Sequence, residues 1–420
     1  MSTSDISPSK RFDTVLQRLH RELGVDPARE TWFASAPGRT ELAGNHTDHN
    51  RGRVLAASID LESIAAISPR DDSLVRIASE GYPFIEINVD DTAANPEERE
   101  TTAALLRGVA AGFARDGYRV GGFEAAVSST VLNGSGLSSS ASIEVLIGVI
   151  FDELYNDGRV GPTRIAQFGQ FAENTYFGKP CGLMDQLACA TGGAVAIDFS
   201  DPGRPDVSRI DVSFERAGLA LLVVDTGANH ADLTDEYAAI PRDMRAVARE
   251  LGGEVLRDIE AETFYRELRR LRSRIGDRAV SRAIHFFDEN DRVDRMVSAL
   301  KEGQMSDYLG LMADSGRSSG IYLQNCVPVS SPDEQGVVLA LALTEHYLSA
   351  QGLRNGVHAA CRVHGGGFAG TIQVLLPIDL VDRYTAYASQ YLGDGAATRL
   401  SIRNTGAWCS TGVIGKEGQT

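Results

Sequence analysis

Residues 36–56 read APGRTELAGNHTDHNRGRVLA and carry the densest set of side chains that could bind and transform a ligand. Arg39 supplies a fixed positive charge, and Asn45, His46 and Asp48 supply hydrogen-bond donors and acceptors between apolar residues on both sides. A ligand with many hydroxyl groups offers a donor and acceptors at each hydroxyl, and a dry pocket must satisfy most of them. The segment therefore favours a polyhydroxylated small molecule, although a polar surface loop or a metal site formed by His46, Asp48 and His49 would also fit its composition.

A glycine- and serine-rich loop, VLNGSGLSSSAS at residues 131–142, predicts a second binding element. A strand at 123–131 precedes it, and apolar residues at helical spacing follow it to about residue 155. Glycines allow close approach of a ligand to the backbone, and the first amides of a helix attract phosphate. The loop lacks the G-K-[ST] of a Walker A sequence, and its match to G-x-G-x-x-G fails at Ser139. A simple capped turn, with Ser138 or Ser139 as the N-cap, is the alternative.

Two later segments complete the candidate chemistry. In GKPCGLMDQLACATGGA, residues 178–194, Asp185 lies among apolar residues, where a carboxylate needs a partner. It could instead cap the short helix that follows. In RVHGGGFAGTIQVLL, residues 362–376, three consecutive glycines separate two strand-like stretches and would also suit a tight hairpin.

These four segments resemble, in order, the signature motifs of galactokinases and of the wider superfamily of galactokinase, homoserine kinase, mevalonate kinase and phosphomevalonate kinase. The first segment is similar to G-R-x-N-L-I-G-E-H-T-D-Y-N and the second to P-x-G-x-G-L-S-S-S-A-S. The third matches P-C-G-[IL]-M-D-Q, and the fourth is similar to G-G-G-F-G-G. The resemblance covers residues 30–405 or so. It implies an α+β, two-domain small-molecule kinase fold with the active site in the inter-domain cleft.

The resemblance also implies a role for each matching residue in ATP- and Mg²⁺-dependent transfer of phosphate to a sugar anomeric hydroxyl. Asp185 would accept the hydroxyl proton or orient the hydroxyl, and Arg39 would stabilise charge. The sugar contacts would be Asn45, His46, Asp48, Gly182 and Tyr237. The loop residues Gly134, Ser135, Gly136, Leu137, Ser138, Ser139 and Ser140 would bind the ATP phosphates, while Ser140 and Glu173 would hold magnesium. Hydroxyl and carboxylate oxygens suit this hard cation. Tyr237 would otherwise be an ordinary residue of an amphipathic helix.

The departures from the family pattern cluster at the sugar end. Glu41 stands where asparagine is usual, Asn45 where a glutamate usually accepts the C6 hydroxyl, and His49 where tyrosine is usual. Galactose is the expected substrate, and galacturonate, arabinose or N-acetylgalactosamine are the alternatives. A non-catalytic sugar sensor is also conceivable within this superfamily, but Arg39, Ser140 and Asp185 are all present, which favours the enzyme.

Composition sets the remaining expectations. The formal net charge of −16 disfavours nucleic acid or an anionic membrane surface as a partner. The turn-rich DPGRP at residues 201–205 suggests two domains, 1–205 and 206–420. Five scattered cysteines without a C-x-x-C pair suggest free thiols, and the N-terminus lacks the apolar core of a signal peptide. The sequence therefore predicts a cytoplasmic enzyme that acts on a small sugar.

Overall fold

The computed structural model describes residues 8–132, 136–227 and 233–412. Within them the chain forms twelve β-strands and eleven α-helices. The strands are β1 (Trp32–Ala43), β2 (Arg53–Pro69), β3 (Leu74–Ser79), β4 (Ile85–Asn88), β5 (Phe123–Ser129), β6 (Ala194–Asp198), β7 (Asp206–Ile210), β8 (Leu219–Asp225), β9 (Ala360–Val363), β10 (Thr371–Pro377), β11 (Ala397–Leu400) and β12 (Trp408–Ser410). The helices are α1 (Pro8–Leu23), α2 (Thr102–Arg115), α3 (Ser139–Asn156), α4 (Pro162–Ala172), α5 (Met184–Thr191), α6 (Thr234–Glu250), α7 (Ala261–Ile275), α8 (Asp277–Lys301), α9 (Met305–Ser318), α10 (Gly336–Ala350) and α11 (Val381–Leu392).

The first sheet has eight strands in the order β12-β1-β2-β5-β3-β4, with β6 paired to β2 and β7 paired to β6. Successive side chains of a strand point to opposite faces, and β2 shows this clearly. Ile64 and Ala66 pack with α1, whereas Ala65 and Ile67 join the core formed with α2, α3, α4 and α5. Both faces of the sheet are therefore covered by helices.

The second sheet has four antiparallel strands in the order β11-β8-β10-β9. Leu221 and Val223 of β8 face α8 and α9, and Leu222 and Val224 face α10 and α11. The first of these two cores also contains Leu42, Leu55 and other residues of the first sheet. Apolar packing therefore joins the two sheets, and the predicted α+β fold class is confirmed.

Three details of the chain path show how the two sheets are connected. The DPGRP segment is the turn of an antiparallel hairpin between β6 and β7, so the change of sheet follows residue 210 rather than residue 205. The last strand, β12, returns to pair with β1 in the first sheet. The long strand β2 continues through two acidic residues, where Asp60 hydrogen-bonds with Ser401 and Glu62 with Arg11 and Arg403.

Within the described part of the chain, no helix combines the length and the apolar character needed to cross a bilayer. The five cysteines all lie in described residues, and none is in a disulfide.

Candidate active site

The phosphate-loop segment is joined directly to the strand that carries Arg39. The register of β1 against β2 shifts between Pro37 and Arg39, and Arg39 N donates to the Leu137 carbonyl at 3.1 Å. A side chain at Gly38 would place its Cβ 2.8 Å from that carbonyl oxygen, so glycine is required for this close approach. The first and second motifs are therefore one structural unit.

Arg39 and Asp185 form a bidentate ion pair between β1 and the first turn of α5. Arg39 Nε lies 2.8 Å from Asp185 Oδ1, and Nη2 lies 2.7 Å from Oδ2. Arg39 is 5% exposed and Asp185 is partly buried. Since α5 begins at Met184, Asp185 is a residue of the helix and not its N-cap. The carboxylate that needed a partner has one, as the sequence predicted.

Burial and ion pairing act on the Asp185 carboxyl in opposite directions. Burial raises its pKa, but the charge and hydrogen bonds of Arg39, together with a hydrogen bond from Ser138 Oγ, lower the pKa below its usual value. Asp185 is therefore a carboxylate at neutral pH. An ionised carboxylate can orient a hydroxyl group by accepting its hydrogen bond. It can also receive the hydroxyl proton when the hydroxyl oxygen forms a bond to an electrophile.

Two serines of the second motif hydrogen-bond to two different carboxylates, Ser138 to Asp185 and Ser140 to Glu173. Ser138 has φ 61° in the left-handed region, and its hydroxyl reaches Asp185. Ser139 begins α3, and Ser140 Oγ donates to Glu173 Oε1 at 3.1 Å. Gly136 and Leu137 face Arg39 through their backbone carbonyls. The predicted phosphate contacts Gly134 and Ser135 lie outside the described residues.

Ser140 and Glu173 have the chemistry of a magnesium site. Glu173 is buried at the start of a π-helical turn, Glu173–Phe177, which continues α4. Its Oε2 accepts a hydrogen bond from Gln186 Nε2 at 3.0 Å, which leaves Oε1 facing the serine. Mg²⁺ binds through one or two protein oxygens together with substrate phosphates and water, so one carboxylate and one hydroxyl fit it. Within the described residues there is no group of three His, Cys, Asp or Glu side chains suited to a metal.

The motifs did not indicate a role for Gln186 and Glu144, which lie behind Ser140 and Glu173. Gln186 Nε2 also donates to Glu144 Oε2 at 2.9 Å. Burial, followed by the charge of Glu173, raises the pKa of Glu144 well above its usual range. Ser140 and Glu144 are four residues apart on α3, and this helical spacing was the available signal that both face the same site. Glu144 and Gln186 hold the Glu173 side chain in place.

Asp48 and Gly182 meet at the predicted sugar end of the cleft. Asp48 Oδ1 accepts from His49 N at 2.8 Å. Asp48 Oδ2 lies where a side chain on residue 182 would be, because a Cβ there would come within 1.6 Å of it. The backbone of the third motif is thus in van der Waals contact with the carboxylate of the first.

His46 and Tyr237 both bind the glycine-rich loop of the fourth motif. His46 Nε2 lies 2.9 Å from the Gly366 carbonyl, and Tyr237 donates its hydroxyl proton to the Gly367 carbonyl at 3.0 Å. Burial, and then the neighbouring His49, lowers the pKa of His46 to about 3, so His46 is neutral and donates from Nε2. Its Nδ1 is then a buried acceptor without a partner in the described structure.

Asn45 does not face the cleft. It is 0% exposed, and its Nδ2 donates to Glu41 Oε1 at 3.1 Å and to the Gly365 carbonyl at 2.6 Å. Its Oδ1 accepts from Asn325 Nδ2 at 2.8 Å and from Ser319 Oγ at 3.3 Å. Because the amide is enclosed and already fully hydrogen-bonded, this position argues against the predicted contact with the sugar.

Comparisons with known proteins agree with this arrangement. Residues 20–69 match the galactokinase galactose-binding signature, and residues 104–193 match the N-terminal domain of GHMP kinases. A galactokinase of Streptomyces coelicolor is 33% identical over 381 residues, which are 89% of this chain and 90% of the relative. The chain belongs to the galactokinase family.

Solved structures show the same fold over most of the chain. The structure of Lactococcus lactis galactokinase complexed with galactose has a TM-score of 0.79 at 22% identity, covering 94% of this chain and 99% of that one. Methanococcus jannaschii mevalonate kinase has a TM-score of 0.60 at 14% identity, covering 88% and 98%. These structures confirm the fold predicted from the motifs.

Two of the three unusual residues of the galactokinase signature, Glu41 and Asn45, are explained by a buried cluster. Glu41 Oε1 lies 3.0 Å from Arg362 Nη1, and Arg362 Nη2 donates to the Glu41 carbonyl at 2.6 Å. Both side chains are almost fully enclosed. Burial raises the pKa of Glu41, and the charges of Arg362 and Arg39 oppose that shift. In this member of the family, Glu41 and Asn45 connect the first motif to β9 and the glycine-rich loop.

We expect Glu41→Gln to lower the free energy of unfolding by about 3–5 kcal/mol, because it leaves the buried Arg362 charge without a counter-charge. The double variant Glu41→Gln, Arg362→Met should recover part of this loss. Chemical denaturation measures both. Asp277→Asn, which removes an exposed ion pair with Arg272, is the control and should leave the midpoint unchanged. A Glu41→Gln protein as stable as this control would show that the buried pair contributes nothing.

Gly182→Ala should displace the Asp48 carboxylate, because the new Cβ would overlap Asp48 Oδ2. If Asp48 binds the sugar, the sugar KM should rise about tenfold or more while the ATP KM changes little. Gly310→Ala in α9 is the matched control, since its Cβ would meet its nearest atom at 3.5 Å. Steady-state kinetics with each substrate varied makes the comparison. Equal sugar KM values in the two variants would exclude Asp48 and Gly182 as a sugar contact.

Proposed function

We propose that this protein catalyses the ATP-dependent phosphorylation of D-galactose at its anomeric hydroxyl, giving galactose 1-phosphate. The observation that carries the proposal is the bidentate Arg39–Asp185 pair, which lies between two groups of predicted ligand contacts. Through Ser138 it is connected to the phosphate loop. The match to the galactose-binding signature and the identity with a galactokinase support galactose as the sugar.

In this mechanism Asp185 accepts the hydrogen bond of the galactose anomeric hydroxyl. The hydroxyl oxygen attacks the γ-phosphorus, the bond from phosphorus to the bridging oxygen of ADP breaks, and the hydroxyl proton passes to Asp185. A carboxylate with a lowered pKa is a weak base, so its main contribution is to orient the attacking oxygen. Arg39 keeps the carboxylate ionised and fixes its plane.

The second motif supplies the proposed ATP contacts. Ser139 starts α3, and the amides of a helix N-terminus favour phosphate oxygens. Residues 134–140 would enclose the phosphates, and Ser140 and Glu173 would hold Mg²⁺. When bound, the ion offsets negative charge on the β- and γ-phosphate oxygens. Gln186 and Glu144 keep the Glu173 carboxylate oriented toward Ser140.

Asp48, His46, Gly182 and Tyr237 are the proposed sugar contacts. Asp48 Oδ2 has no hydrogen-bond partner assigned in the described structure, so it can accept from a sugar hydroxyl. Tyr237 uses its proton for the Gly367 carbonyl, so its oxygen would accept rather than donate. We also retain the cytoplasmic location predicted from the N-terminus and the cysteines.

The decisive experiment incubates the protein with ATP, Mg²⁺ and a panel of sugars, and identifies the product by phosphorus NMR. We expect galactose 1-phosphate, with galacturonate, arabinose and N-acetylgalactosamine as poorer substrates. Asp185→Asn is the matched control. It keeps the shape of the side chain but removes the negative charge that orients the attacking hydroxyl and receives its proton, and should lower kcat about 10²–10⁴-fold. Phosphate on O6, or no ADP from any sugar, would refute the proposal.

Ser140→Ala and Glu173→Gln should each raise the free Mg²⁺ concentration needed for half-maximal activity, Glu173→Gln by about tenfold or more. Because both residues would act on one ion, the double variant should show less than the product of the two effects. Glu262→Gln, on the exposed face of α7, is the control. Unchanged Mg²⁺ dependence in either variant would remove that residue from the proposed metal site.

A further inference from the structure

Arg39 is poorly placed to contact the transferred phosphoryl group. It is 5% exposed, and its Nε and Nη2 donate to Asp185 while its Nη1 donates to the Gly136 carbonyl. Each of its three nitrogens therefore has a protein acceptor. In the transition state of the transfer, the charge of the phosphoryl group is spread over its outer oxygens. A cation that contacts those oxygens must therefore be able to reach the bound ATP. Arg39 can act on them only from a distance.

Lys179 is a second cation, close to the Glu173 carboxylate, and its side chain is largely exposed. Its Nζ lies 3.8 Å from Glu173 Oε1, the oxygen that also accepts from Ser140 Oγ. The Lys179 side chain is 64% exposed, whereas that of Glu173 is 4% exposed. An ion pair with this solvent exposure and this distance contributes little to the free energy of unfolding. The Lys179 ammonium group can therefore leave Glu173 and bind another anion.

The backbone holds Lys179 at this position although its side chain is exposed. The π-helical turn ends at Gly178, which has φ 92°, and both Gly178 N and Lys179 N donate to the Glu173 carbonyl, at 3.0 and 3.1 Å. The lysine is thus fixed relative to the carboxylate that would hold the metal. Its charge also reaches the catalytic carboxylate, because, after burial and Arg39, Lys179 contributes to lowering the pKa of Asp185.

We propose that Lys179 is a catalytic residue whose ammonium group contacts the γ-phosphoryl oxygens of ATP. Its ammonium group lies beside Glu173, the carboxylate that would hold the metal, and its charge acts on Asp185, the carboxylate that would orient the sugar. Lys179 offsets the charge on the outer oxygens while Arg39 holds Asp185. This inference rests on the proposed function, because it assumes that ATP occupies the second motif.

The test is equilibrium binding of the non-hydrolysable analogue AMPPNP, and of ADP, by isothermal titration calorimetry with Mg²⁺ and with EDTA. A charge-assisted hydrogen bond lost in Lys179→Met should weaken AMPPNP about tenfold or more, and ADP less. Lys179→Arg should retain most of the affinity. Lys301→Met is the matched control, since Lys301 is exposed at the end of α8, about 24 Å along that helix from His285, which contacts Asn45. Galactose binding, measured in parallel, reports that each variant is folded.

Lys179→Met binding AMPPNP as tightly as Lys301→Met would overturn the inference. So would a weakening that appears with Mg²⁺ and vanishes in EDTA, because Lys179 would then act through Glu173 and the metal rather than on the phosphate. Failure of the wild-type protein to bind AMPPNP at all would instead refute the proposed function. The expected result is a weakening in both conditions, with kcat for galactose reduced in the same order as AMPPNP affinity.

Discussion

The buried ion pair between Arg39 and Asp185 is the interaction on which the rest of the site depends. The two residues are 146 positions apart, on β1 and α5, and meet with both hydrogen bonds below 3 Å. Two charges removed from water are tolerated only when the geometry is good and the remaining donors and acceptors are satisfied. Ser138 and the Gly136 carbonyl meet that requirement, and both belong to the phosphate loop. Correct folding of the first sheet thereby fixes the second motif and the Asp185 carboxylate together.

The second sheet contributes backbone carbonyls to the site, from the glycine-rich loop between β9 and β10. Carbonyls of Gly365, Gly366 and Gly367 accept hydrogen bonds from Asn45, His46 and Tyr237. A loop without side chains lets these donors reach the backbone closely. The Glu41–Arg362 pair lies beneath it and joins β1 to β9. Polar contacts therefore hold residues 41–46 against β9 and the glycine-rich loop.

The sequence predicts a large part of this arrangement, because the chemistry-bearing residues occur in short motifs with fixed spacing. Asp185 needed a partner, and Arg39 is that partner; Ser140 and Glu173 come together as expected. The roles of Glu41 and Asn45 could not be predicted in this way. Asn45 seemed to belong to the cleft by its place in the motif, but its partners Gly365 and Asn325 lie 320 and 280 residues away. Which way a side chain points at such a junction depends on tertiary packing.

Local sequence also leaves the structure of the DPGRP segment undecided. A turn-rich DPGRP segment suits a linker and a hairpin equally well, and pairing between β6 and β7 decides for the hairpin. Asp60 and Glu62 lie within the single strand β2, where partners more than 300 residues away satisfy them. Lys179 carried no sequence signal at all, since it lies outside the matched motif and is distinguished only by its distance to Glu173.

The most direct measurement of the central claim is a crystal structure of the protein with galactose, AMPPNP and Mg²⁺. The account predicts that the anomeric hydroxyl oxygen lies within about 3.2 Å of an Asp185 carboxylate oxygen and faces the γ-phosphorus, with the Arg39–Asp185 pair unchanged. An anomeric hydroxyl separated from Asp185 by a layer of water, or an Arg39 that has left Asp185 for the phosphate, would contradict it.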